Sequence, residues 1–108
     1  MPELDAEDEK LVTLARSARA RTQAAEGAAL RDTDGRTYAA STVDQPSFKL
    51  TALQAAVAAA VSSGAEGIEA AVVVSPEGLL KGASVQAVRD IAEAAPIYLV
   101  DPSGKVLN

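Results

Sequence analysis

Neither cysteine nor histidine occurs anywhere in the 108 residues. That double absence excludes disulfides, zinc sites built on thiolate or imidazole, Cys–His nucleophilic pairs and Ser–His–Asp triads. Carboxylates remain as conceivable metal ligands, but no EF-hand-like run of alternating acids is present. Tryptophan is also missing, and the aromatics are only Tyr38, Phe48 and Tyr98. No stretch is both long and apolar enough to span a bilayer; Ala52–Val61 is short and alanine-rich. The first ten residues are acidic and lack an apolar stretch, so a signal peptide is not expected and the cytoplasm is the expected location.

What is present describes one small globular domain. Hydrophobic residues make up 48 %, a folded rather than a disordered composition. Nearly half of them are alanine, which buries little area, so the core must be thin and its elements must approach closely. Such a lean core favours stabilisation by self-association. The net charge of −5 argues against broad attraction to nucleic acid or to an anionic membrane.

Periodicity divides the chain into alternating elements. Glu3 to about Ala24 has the three- and four-residue apolar spacing of a helix, with acids in its first turns and Arg16, Arg19 and Arg21 near its end. Gly27–Arg31 and Arg36–Val43 read as strands joined by the turn Asp32-Thr33-Asp34-Gly35. Leu50–Ser63 reads as a helix apolar around most of its circumference and ended by Gly64, hence buried. Ala70–Ser75, with Val72, Val73 and Val74 in succession, reads as a central strand covered on both faces. Ser84–Ala94 is expected to be helical, Pro96–Val100 a strand, and Lys105–Leu107 a short final strand. The order implies an α/β fold with helices on both faces of one sheet.

Segments spread in chain order resemble the small zinc-dependent cytidine deaminases. Leu14–Arg21 is similar to the end of that family's first helix, and Gly27–Leu30 followed by Asp32–Arg36 to its first hairpin. Ser41–Thr51 resembles its Asn-Val-Glu-Asn-Ala-Ser-Tyr-Gly-Leu-Thr stretch. Val72–Gly78 and Val100–Val106 resemble its third strand and its last turn. The resemblance implies a three-layer α/β/α sandwich with a mixed five-stranded sheet, spanning residues 1–108 as a single domain.

The resemblance also places the family's chemistry, and at those places its residues are missing. The zinc-ligand position on the second helix falls on Leu53, and the catalytic glutamate two residues later on Ala55. The second pair of zinc cysteines falls on Val85 and Val88, the proline before them on Ser84, and the following arginine is kept as Arg89. Leucine and valine offer no ligand electrons, and alanine no ionisable group, so hydroxide cannot be generated and protons cannot be shuttled in the family's manner. The ribose-binding asparagine and glutamate correspond to Thr42 and Asp44, shorter or weaker partners. The loop Ala24-Ala25-Glu26 is short and lacks the family's aromatic.

These replacements imply a non-catalytic protein without cofactor, in which Leu53, Val85 and Val88 fill the vacated metal cavity. A homo-oligomeric scaffold, dimer or tetramer, is expected, with room for an unidentified protein partner. The alternative is a nucleoside or other small-molecule binder that uses a remnant pocket at Thr42 and Asp44. An open polar cavity beside Thr42, Asp44 and Ala55 would favour the binder; closure by Leu53, Val85 and Val88 would favour the scaffold. The arginines near the first helix end are explained by the helix dipole as well as by an anion patch. Asp32–Gly35 is explained by a hairpin turn, Ser62-Ser63-Gly64 by a helix stop, and Arg89 by a structural ion pair.

Overall fold

A computed structural model describes residues 4–108. The Asp5 carboxylate accepts the Asp8 N–H at 2.8 Å and so caps helix α1, Ala6–Thr22. The expected start at Glu3 lies outside the described residues. Glu7, Asp8 and Glu9 occupy the first turn and Arg19 and Arg21 the last, each sign at the favourable end of the helix dipole. Strand β1, Gly27–Asp32, turns through Gly35, at φ +86°, into β2, Thr37–Ser41. Short strands β3, Val43–Gln45, and β4, Phe48–Leu50, form a separate antiparallel hairpin. Helix α2 is Ala52–Ser62, strand β5 Ile68–Val74, helix α3 Gly82–Arg89 and strand β6 Ile97–Val100.

The main sheet has the order β2-β1-β5-β6. β1 is antiparallel to both neighbours, β2 and β5, whereas β5 and β6 run parallel. This is the expected mixed sheet, with four strands. The expected fifth strand, Lys105–Leu107, contributes a single antiparallel bridge, Val100 to Val106. Two hydrogen bonds make that bridge, from the Asp101 N–H to the Lys105 carbonyl at 2.9 Å and from the Leu107 N–H to the Leu99 carbonyl at 2.8 Å. Beyond it the Asn108 side chain takes the Leu99 N–H and the Ile97 carbonyl, so the ladder goes no further.

Side chains alternate across the sheet and supply two cores. Ala28 and Leu30 of β1 and Ala71 and Val73 of β5 face Leu53, Ala56, Val57 and Ala60 of α2 and Val88 of α3. Ala29, Ala70, Val72 and Val74 face Leu11, Val12 and Ala15 of α1. With both faces covered, the central strand can be continuously apolar, as Val72–Val74 is. α2 itself is buried on one side only: Ala58, Ala59 and Val61 are exposed, contrary to the expectation of an enclosed helix. No helix among the described residues is long and apolar enough to cross a membrane.

Two aspartates hold the turns. Asp32 Oδ1 accepts the N–H groups of Asp34 and Arg36, both at 2.9 Å, and its Oδ2 accepts the Tyr38 hydroxyl at 3.1 Å. Asp101 Oδ1 accepts from the Ser103 hydroxyl at 2.6 Å and from the Ser103 and Lys105 N–H groups. Burial pushes the Asp32 carboxyl up, but its hydrogen bonds outweigh burial and hold it below the ordinary aspartate value; the Ser103 hydroxyl chiefly does the same for Asp101. A carboxylate favoured in the folded state stabilises fully above its unfolded pKa and loses that effect as pH falls through its folded value. Wild-type melting temperature should therefore drop below about pH 4 more steeply than that of the Asp32→Asn, Asp101→Asn double variant. Parallel acid profiles from thermal melts check this.

Candidate functional site

Helices α2 and α3 meet at their N-terminal ends. Thr51 begins α2 with a capping box: its hydroxyl accepts the Gln54 N–H at 3.1 Å, and Gln54 Oε1 accepts the Thr51 N–H at 3.0 Å. The buried Ser84 hydroxyl, in the first turn of α3, donates to the same Thr51 oxygen at 2.7 Å. Just inside this junction, Leu53 and Val88 lie in one apolar cluster and are both fully buried. Val85, one turn before Val88, is half-buried and belongs to neither apolar cluster, so the cluster holds two of the three residues expected to fill the site; Ala55 is half-buried on α2.

Thr42 and Asp44 stand on a shallow groove of about 330 Å³, whose other lining residues are Val43, Lys49, Leu50, Thr51, Gln54 and Lys81. Ala55 does not line it. The Thr42 hydroxyl accepts the Glu26 N–H at 2.9 Å, tying the start of β1 to the end of β2. Asp44 pairs with Lys49 across the β3–β4 hairpin at 3.0 Å, with both side chains largely in solvent. Such an exposed pair contributes little to stability.

Glu26 was not singled out by the sequence. It is 1 % exposed, and neither carboxylate oxygen has a hydrogen-bond partner. The nearest cation is Lys81 Nζ, 3.8 Å from Oε2, too long for a hydrogen bond. The only local signal is one acid set between Ala24-Ala25 and the apolar Gly27–Leu30 strand. An acid at that place would ordinarily be read as solvated.

The other sequence candidates have structural tasks. Among the described residues Arg89 has no ion-pair partner of the expected kind; its Nη1 donates to the carbonyls of Ala92 and Ala95 at 3.1 and 2.8 Å. These bonds hold the segment that follows α3, which ends at Arg89 and not at the expected Ala94. Arg16 and Arg19 border a second surface cleft, of about 400 Å³, with Thr13, Ser17, Ala20, Val74 and Pro102. Arg19 also donates to the Ala25 carbonyl at 3.2 Å. Asp32–Gly35 is the β1–β2 turn, and Ser62-Ser63-Gly64 ends α2 with Gly64 at φ +94°.

The site does not fit a zinc ion. Such sites take thiolate, imidazole or carboxylate ligands; the chain has no cysteine or histidine, and among the described residues no three acids converge.

No curated protein sequence matches the chain. Solved structures do. The cytidine deaminase from Burkholderia pseudomallei superposes with a TM-score of 0.78 at 22 % identity, over 90 % of this chain and 87 % of that one. The enzyme from Mycobacterium leprae gives 0.71 at 21 %, over 95 % of both chains. That from Mycobacterium tuberculosis gives 0.72 at 25 %, over 95 % and 92 %. The family model described as cytidine deaminase-like matches residues 4–104. The chain therefore belongs to the cytidine deaminase-like family.

Proposed function

We propose that this family member does not deaminate cytidine and works in the cytoplasm as a homo-oligomeric scaffold or interaction module. The observation that carries the proposal is the burial of Leu53 and Val88 in one core cluster beneath the joined helix ends. If these residues occupy the ligand positions that the resemblance assigns them, packing has replaced the metal. An apolar filling avoids the penalty of a void in so small a core. The serine–threonine hydrogen bond above it joins the two helices without any ion.

Assembly is supported by the apolar surface that α2 leaves uncovered. Val61 is 52 % exposed beside Ala58 and Ala59, small residues that permit close approach of a second helix. Light scattering at micromolar concentrations is expected to give the mass of a dimer or tetramer, and Val61→Glu is expected to shift it towards the monomer. A monomer at every concentration would overturn the scaffold assignment.

A second reading, small-molecule or nucleoside binding, is favoured by the open polar groove at Thr42, Asp44, Thr51, Gln54 and Lys81. It is compatible with loss of deamination, because the buried Leu53 and Val88 lie apart from the groove lining.

A further inference from the structure

We propose that the Glu26 carboxylate anchors a neutral ligand presenting two adjacent N–H donors, admitted through the groove when the Lys81 side chain turns aside. This rests on the binding reading of the groove and not on the loss of deamination. A fully buried carboxylate with both oxygens unbonded runs against the rule that buried polar groups are paired. Among the described residues it has no hydrogen bond, only the ion pair with Lys81 at 3.8 Å. Thr42 is the polar neighbour, yet its hydroxyl is directed to the Glu26 backbone.

The route to this carboxylate is defined by Lys81. Its side chain lines the groove, is 38 % exposed, and reaches to 3.8 Å from Oε2. It precedes α3 as the N-cap residue without making any side-chain cap hydrogen bond, so the helix does not hold it in place. Glu26 itself does not line the groove, and the flexible Lys81 side chain is the one that links its carboxylate to it.

The chemistry of the anchor limits the ligand. Two carboxylate oxygens side by side are matched by two parallel donors, the fork geometry that makes such pairs strong and directional. Turned aside, the Lys81 side chain keeps its ammonium on the groove, where Lys49 also stands, paired with Asp44. A cationic guanidinium would meet that ammonium as a like charge. A neutral ring N–H beside an exocyclic amine, the edge that guanine presents, meets no such repulsion. Thr51, Gln54 and Asp44 would face the remaining polar part.

Calorimetry on the full chain with guanosine, inosine, cytidine and methylguanidinium tests this. Guanosine is expected to bind, and inosine, which lacks the exocyclic amine, to bind about tenfold or more weakly. Glu26→Gln turns one acceptor into a donor and should abolish guanosine binding while leaving the melting temperature equal or higher. Should that variant not fold, Lys81→Met keeps Glu26 but removes its counter-charge, and preference should move from guanosine to methylguanidinium. Absence of guanosine binding, equal affinity for inosine, binding unaltered in Glu26→Gln, or an unchanged preference in Lys81→Met would each overturn the proposal. Failure here would leave loss of deamination untouched, whereas turnover of cytidine would defeat that loss without bearing on Glu26.

Discussion

Gly27→Ala is expected to lower the melting temperature by roughly 12 °C or more, through a loss of about 3 kcal/mol. A Cβ at Gly27 would overlap the Ala15 carbonyl oxygen and lie 2.8 Å from Arg19 Cβ. The first obstacle is backbone, in the middle of α1, so no side-chain rotation relieves it and the helix must leave the sheet. The consequence reaches the core, because Leu11, Val12 and Ala15 of that helix pack on Ala29, Val72 and Val74. An alanine-rich domain depends on such close approach, having few large side chains to span a wider gap. Gly67→Ala provides a contrast: its Cβ would meet the Thr33 side chain at 2.9 Å, and that side chain can turn away. Gly82→Ala, with nothing within 4 Å at the start of α3, should be neutral or stabilise by up to about 1 kcal/mol. Thermal melts of the three variants check the order; a Gly27→Ala protein as stable as wild type would contradict the close packing of α1.

The second large effect is expected from placing cysteines at the positions that the sequence resemblance assigns to the family's metal site. Leu53→Cys, Val85→Cys and Val88→Cys together should cost about 2 kcal/mol or more before metal is added, since smaller side chains leave space in the core. Zinc should then recover part of that stability by binding the folded state. Val88 shares its cluster with Leu53, and Val85 lies one turn before Val88 on α3, so convergence of the third position is what the experiment reads. Cobalt titration followed by thermal melting reads the result. Metal bound no more tightly by three cysteines than by any one of them would show that the positions do not converge.

Much of this architecture was legible in the residues themselves. Asp32-Thr33-Asp34-Gly35 marks its hairpin because Gly35 adopts a positive φ and Asp32 bonds the turn's own N–H groups. Val72–Val74 marks a strand covered on both faces because water would otherwise meet one of them. The β3–β4 hairpin was not legible: its strands have three residues each, too few for an alternating pattern, and Phe48 at the turn is exposed. The segment after α3 is held by Arg89 reaching carbonyls beyond the helix, which local periodicity does not reveal.

The candidate site divides in the same way. Leu53 and Val88 were legible as core because apolar residues on a helix facing a sheet have one ordinary fate. Glu26 was not, because a buried carboxylate opposes the usual cost of desolvation and is recognised only when its surroundings are known. Thr51, Gln54 and Lys81 owe their shared position to the meeting of two helix ends that are distant along the chain.

The most direct test of the central claim is the turnover of cytidine by the purified chain, followed by the absorbance change on deamination, with zinc supplied in excess. The expected result is a rate indistinguishable from that of a mock preparation, because the chain has no cysteine or histidine to hold the metal and the sequence resemblance puts alanine, Ala55, in place of the family's catalytic acid. Turnover that exceeds the mock, scales with protein concentration and disappears on chelation would contradict it.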